Sequence, residues 1–211
     1  MQKANAELHK EAKGLEVRKA MDRSIMAPFS KFTQEGDTIG RLLAGYSNIE
    51  VSLFHAVHVA TGDFDTALRK MFGKRGESKR IEAAEKLGLP EYQRLKLATD
   101  FKKALRVMRY CLEIRNQYAH WVWWDDHTGQ LAFANVEDLT KYKSRVTGFG
   151  KLTAHHVDAA LLKAQEAYFV YTDDLLLWVN YEGRFKRGKL GNARLNPVNR
   201  PKDVKRPKLR L

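Results

Sequence analysis

The chain has 211 residues, 44% apolar and 10% aromatic, with 38 Lys and Arg against 25 Asp and Glu, a net charge of +13 and one cysteine. That length accommodates one soluble domain with a sizeable core. The lone Cys111 excludes a disulfide framework or a cysteine-based zinc site within one chain and fits a reducing compartment. The opening MQKANAELHKEAK has no apolar stretch of signal-peptide type, and no apolar run approaches the ~20 residues that span a bilayer, so a cytoplasmic protein with no membrane partner is expected.

Residues 1–33 alternate charges with few large apolar groups and read as a flexible or helical N-terminal arm. Ile39, Leu42, Leu43, Tyr46, Leu53 and Val57 then recur at three- and four-residue steps, which predicts a helix over 36–61 ended by Thr61-Gly62-Asp63. Shorter helices are expected over 64–72 and 77–87, separated by the turn-forming Gly73-Lys74-Arg75-Gly76. Gly88-Leu89-Pro90 reads as the stop of one helix and the start of the next, which runs over 91–119 and carries Phe101, Leu105, Met108 and Leu112 on one face. The aromatic Trp121-Val122-Trp123-Trp124, turn residues at 125–129 and the alternating residues 131–136 predict a small β-hairpin after that helix. Thr153 is the expected N-cap of a closing helix over 153–181, with Val157, Leu161, Tyr168, Tyr171, Leu175 and Trp178 on its stripe. Residues 183–211 hold 11 basic side chains, one acidic one and Pro197, Pro201 and Pro207, which predicts a tail that is disordered or extended when free. The domain proper is therefore expected at 34–182, an all-α bundle with one inserted hairpin.

The informative segment is Arg115-Asn116-Gln117-Tyr118-Ala119-His120, at the end of the longest predicted helix. Arg115 continues the apolar stripe, so its guanidinium must be paired or line a cleft. Asn116 and His120 are four residues apart and neighbours on the helix surface, where the amide can orient the imidazole. The negative end of the helix dipole favours a protonated His at this position.

Arg-Asn-x-x-Ala-His after an amphipathic helix, within an otherwise helical domain, resembles the Arg-x(4–6)-His motif of the HEPN superfamily, in which a polar residue often follows the Arg. The resemblance covers about residues 36–181. It implies a helical bundle that dimerises to bring two motifs across one cleft, acting as a metal-independent endoribonuclease in toxin-antitoxin, abortive-infection or phage-defence systems. It also implies that Arg115 and His120 are catalytic and Asn116 supporting, with no metal and no cofactor, RNA as substrate, and an antitoxin or another protein as a further candidate partner. In this chemistry the RNA supplies its own 2′-hydroxyl nucleophile, His moves protons and Arg holds the phosphorane oxygens. The products would be a 2′,3′-cyclic phosphate and a 5′-hydroxyl. Some members of the superfamily have lost activity, so a silent module that binds RNA or a protein stands as the alternative, and a purely structural helical protein as a third reading. The aromatic run directly after His120 is a departure from the pattern that would narrow the cleft.

Glu50 falls on the stripe of the 36–61 helix and either pairs with Arg115 across the helix interface or faces solvent at the stripe's edge. Trp121, Trp123 and Trp124 either stack bases or belong to the core, and Trp123 and Trp124 are retained as candidate RNA contacts. Lys186, Arg187 and Lys189 in the basic tail are further candidates, the alternatives being a solubilising linker or a protein-docking segment. His55 with His58 and His155 with His156 lack the Glu-x-x-His pairs of a dimetal bundle.

Overall fold

The computed structural model describes residues 26–189 and 198–211, which form six α-helices and a three-stranded antiparallel sheet. Among them no helix is long and apolar enough to cross a membrane. Residues 1–25 of the predicted arm lie outside the described residues. Its last part does not: Ala27–Lys31 is a short helix, α1, that carries Pro28 in its first turn and lies against the sheet. Phe29 meets Trp123 edge to face at 5.6 Å, and Lys31 pairs with Asp125 at 2.6 Å.

The longest helix, α2 (Thr33–Thr61), begins three residues earlier than its stripe predicts and stops where expected. Gly62 adopts φ 72°, a left-handed conformation that suits a residue without Cβ, and its N–H returns to the His58 carbonyl at 2.8 Å. Helix α3 (Phe64–Phe72) has the predicted limits, because Asp63 caps it by accepting from the Asp65 N–H at 3.1 Å.

The next helix departs from expectation: α4 (Glu77–Arg94) runs straight through Gly88-Leu89-Pro90. Pro90 is on the exposed side, where the Lys86 carbonyl it leaves without a helical partner is open to water. Gly88 is on the buried side, where an added Cβ would lie 2.8 Å from the ring of Phe101. The helix ends instead at Leu95, with Lys96 at φ 58°. The Lys96 N–H bonds to the Gln93 carbonyl at 3.0 Å and the Leu97 N–H to the Tyr92 carbonyl at 2.7 Å, the paired bonds of a Schellman ending, with buried Leu97 and Tyr92 supplying its apolar contact.

Helix α5 (Ala98–His120) follows, and then the sheet: β1 (Val122–Asp125), β2 (Leu131–Ala134) and β3 (His155–Val157), in the order β1-β2-β3. The expected hairpin is present with Trp123 opposite Phe133, and β3 adds a third strand with Phe133 opposite His155. Residues 155–157 are therefore extended and not the first turn of a helix, and Thr153 is not an N-cap. The cap is Asp158, which accepts from the Leu161 N–H at 2.7 Å and opens α6 (Ala159–Lys186).

Helices α2, α4, α5 and α6 form the bundle, with α2 in contact with the other three. Leu53, Val57, Phe101, Leu105, Met108, Leu175, Leu176 and Val179 are fully buried between them, each worth roughly 1.5–3 kcal/mol relative to exposure. Tyr92 of α4 ties its helix to the other three: its ring stacks on Phe101 at 4.5 Å, its hydroxyl donates to the Ala56 carbonyl at 2.9 Å, and Gly183 of α6 leaves room for it.

Beyond α6, residues 198–211 run extended back along the groove between α5 and α6. This strap is attached along its length. Arg200 reaches Asp100 at 3.1 Å, Asp203 meets Lys103 and Tyr171, and the Pro207 carbonyl accepts from the Tyr110 hydroxyl at 2.6 Å. Two buried amides then complete the hold. Gln165 donates to the Lys208 and Leu209 carbonyls at 2.9 and 3.1 Å, and Gln117 donates to the Leu209 carbonyl at 2.7 Å. The Leu209 side chain packs on the core, and the Leu211 N–H donates to the His156 carbonyl at 3.1 Å. The expected free tail over 183–211 is thus corrected twice: α6 continues through Lys186, and residues 198–211 are extended but docked on the bundle.

Candidate functional site

Arg115, Asn116 and His120 lie in the last two turns of α5, which stays helical up to His120 because the Trp121 N–H still reaches the Gln117 carbonyl at 3.2 Å. His120 follows Arg115 by five helical steps, which points them about 140° apart around the axis. Asn116 stands between them. Its Oδ1 accepts from Arg115 Nη1 at 3.0 Å, and it lines the same cleft as His120.

On the Arg115 side, the partly exposed guanidinium faces Glu77, the first residue of α4, at 3.5 Å. Glu50 does not pair with Arg115. It holds Arg80, whose Nη1 lies 3.1 and 3.2 Å from the two carboxylate oxygens and whose guanidinium sits 5.3 Å from the centre of the Phe72 ring. Glu77 and Arg80 are three residues apart on one face of α4, so two ion pairs stand side by side, one tying α4 to α2 and the other tying α4 to α5. Tyr46 is buried next to them. Burial pushes its phenol far up, with the Glu50 and Glu77 carboxylates adding to the shift and Arg115 opposing it, and its hydroxyl has no hydrogen-bond partner among the described residues. The sequence offers no signal for Glu77 or Arg80 beyond charges in a helix start.

On the other side, exposed His120 opens into a cleft of about 370 Å³ lined by Glu113, Asn116, Gln117, Trp121, Asn135, Glu137, Leu209 and Arg210. Its floor is the α5 terminus, one wall is the chain leaving β2, and the other is the end of the strap. Arg210 lies over the Trp121 ring at 5.2 Å, which places a guanidinium in the cleft from a segment far away in sequence. The narrowing expected from the aromatic run is thus shared between Trp121 and the strap.

The remaining candidates separate. Trp123 is stacked on Phe133 at 4.7 Å and pinned by Phe29, so it is a packing residue and not a free base platform. Trp124 points to the other face of β1 and is partly exposed. Arg187 donates to the Val59 and Ala60 carbonyls at the end of α2 and approaches Glu91 at 3.4 Å; it closes a helix end and is not available to RNA. Lys186 and Lys189 are exposed. His156 bonds Asp126 at 2.7 Å, clasping the hairpin turn to β3, and His58 lies between Phe54 and Phe64. Among the described residues no three His, Cys, Asp or Glu side chains gather as a ligand set for a metal.

Comparison with protein-family models, with curated proteins and with solved structures finds no match for this chain.

Proposed function

We propose that this chain is a metal-independent endoribonuclease of HEPN type. The observation that carries the reading is the position of Asn116, whose amide holds the Arg115 guanidinium at 3.0 Å while it lines the cleft that His120 enters. A phosphate bound at Asn116 would lie between the Arg115 and His120 side chains. Arg115 is released at small cost, because a partly exposed pair with Glu77 at 3.5 Å is worth about 0–1 kcal/mol. Arg115 then binds two phosphoryl oxygens of the RNA, a stronger and bidentate contact. The 2′-oxygen attacks phosphorus, its proton passes to an imidazole, and the bond to the 5′-oxygen breaks as that oxygen takes up a proton. One His serves one proton at a time, so the reading calls for a homodimer that supplies a second motif and divides the base and acid roles between two copies of His120.

The test is cleavage of an end-labelled RNA in EDTA. Arg115→Ala and His120→Ala should each lose at least about a hundredfold in rate, with melting temperatures unchanged because both side chains reach solvent. Equal cleavage by the double variant, or cleavage only with a divalent metal, would contradict the assignment. A second reading, a silent module, is favoured by the Leu209 and Arg210 side of the cleft, where the strap already occupies part of the space; RNA bound and never cut would select it.

A further inference from the structure

A cavity of about 600 Å³ lies between α3 and α4, lined by Lys70, Lys74, Lys79, Glu82, Ala83, Lys86 and Leu87. Four lysines line it against one glutamate. Their arginine neighbours are engaged, Arg69 with Asp65 and Arg80 with Glu50, whereas among the described residues no carboxylate lies within ion-pair distance of Lys70, Lys74, Lys79 or Lys86. Converging like charges raise one another's energy and concentrate the field in a concave surface, which is tolerated where a polyanion is to be held. Glu77, two residues before Lys79, bonds Arg115 on the far side of the same helical turn. The lysine groove and the Arg115 end of the motif are thus the two flanks of the first turn of α4.

We propose that this groove binds the phosphate backbone of single-stranded RNA and leads the strand over the start of α4 to Arg115. The identity of the polyanion as RNA rests on the ribonuclease reading above; the site itself rests on the four unpaired lysines. Lysine ammoniums on flexible stems suit a sequence-independent backbone, because each acts as a point charge without demanding a fixed geometry. An acidic protein is the weaker fit. The apolar surface of the groove comes from Ala83, Leu87 and the lysine stems, with no aromatic ring among its lining residues, whereas protein interfaces are anchored by buried aromatic and aliphatic groups.

The experiment uses the full chain carrying His120→Ala, so that bound RNA stays intact, with a fluorescein-labelled 20-nucleotide single strand followed by anisotropy over a salt series. Replacing Lys70, Lys74, Lys79 and Lys86 together by Gln should weaken binding at least tenfold at low salt. It should also flatten the slope of log K against log salt by roughly 3, each lost phosphate contact contributing about 0.7 on a single strand. The same four positions as Arg should keep the slope, and circular dichroism should show both variants folded. Unchanged affinity and slope in the Gln variant, no binding of RNA by the His120→Ala chain, or equal binding of a poly-glutamate peptide of matched charge would each overturn the proposal. RNA held through the groove and left uncut by the unsubstituted chain would remove the ribonuclease reading and leave the groove standing.

Discussion

Residues 69–80 and residues 198–211 each carry six basic side chains and one acidic one, yet the fold uses them in opposite ways. In the strap the arginines are held internally: Arg200 by Asp100, Arg206 at 3.8 Å over the Tyr110 ring, and Arg210 over Trp121. The surrounding backbone carbonyls are taken by Tyr110, Gln117 and Gln165. In the α3–α4 segment the two end arginines are paired, and the lysines between them converge on open space. Net charge therefore locates a basic region but not its use; the deciding quantity is how many of those charges already have partners.

The contrast predicts unequal costs. Truncation before Val198 removes four hydrogen bonds that Tyr110, Gln117 and Gln165 donate to strap carbonyls, two of them from Gln165, together with the packing of Leu209. At about 1 kcal/mol per bond the loss is about 4 kcal/mol, a fall in Tm of roughly 12 °C for a chain of this size. The four Lys→Gln changes in the groove should move Tm by about 1 °C or less, since exposed substitutions of this kind alter stability little. Thermal melts of the two variants side by side check both. Equal and small effects would mean that the strap is a solvated tail after all.

A smaller effect isolates one attachment. Lys103 beside Asp203, helped by Tyr171 and Arg200, holds the Asp203 carboxyl below the usual carboxylate range. A depressed folded value stabilises the ionised, docked form: the contribution is complete above the unfolded pKa near 4 and disappears as pH falls through the lower folded value. The Tm difference between the unsubstituted chain and Asp203→Asn should accordingly be constant from pH 8 to 5 and close as pH drops below about 4. Because the carboxylate is exposed, the difference should be a few degrees at most. A gap that widens on acidification would show that the pair with Lys103 does not form.

Where local chemistry and packing agreed, the sequence was readable. Asp63 and Gly73 bracket α3 as their turn chemistry requires, and the stripe of α2 follows its buried residues. Gly88-Leu89-Pro90 misleads because Gly88 answers to the approach of Phe101 and Pro90 to an exposed face, neither of which is visible in one dimension. The true break at Lys96 has no glycine to announce it; its left-handed backbone is held by two hydrogen bonds and the contact of Leu97 with Tyr92. Strand β3, three residues long, is defined by pairing with β2 and not by its own pattern.

The candidate site divides in the same way. Arg115, Asn116 and His120 fall within one helix end, so their spacing alone brought them together. The partner of Glu50 did not follow, because a stripe fixes a face only to within a turn and Arg80 and Arg115 both lie near that face. Arg210 joins the cleft from 90 residues beyond His120, through a strap whose apolar signal is limited to the scattered Val198, Val204, Leu209 and Leu211.

The most direct test of the central claim is end-group analysis of the RNA fragments made by the purified chain in EDTA. Attack by the 2′-hydroxyl with proton transfer through His120 predicts 2′,3′-cyclic phosphate and 5′-hydroxyl ends, and no cut at any position where the sugar carries a 2′-hydrogen. Fragments with 5′-phosphate ends, or cleavage that persists at a 2′-deoxy position, would contradict it.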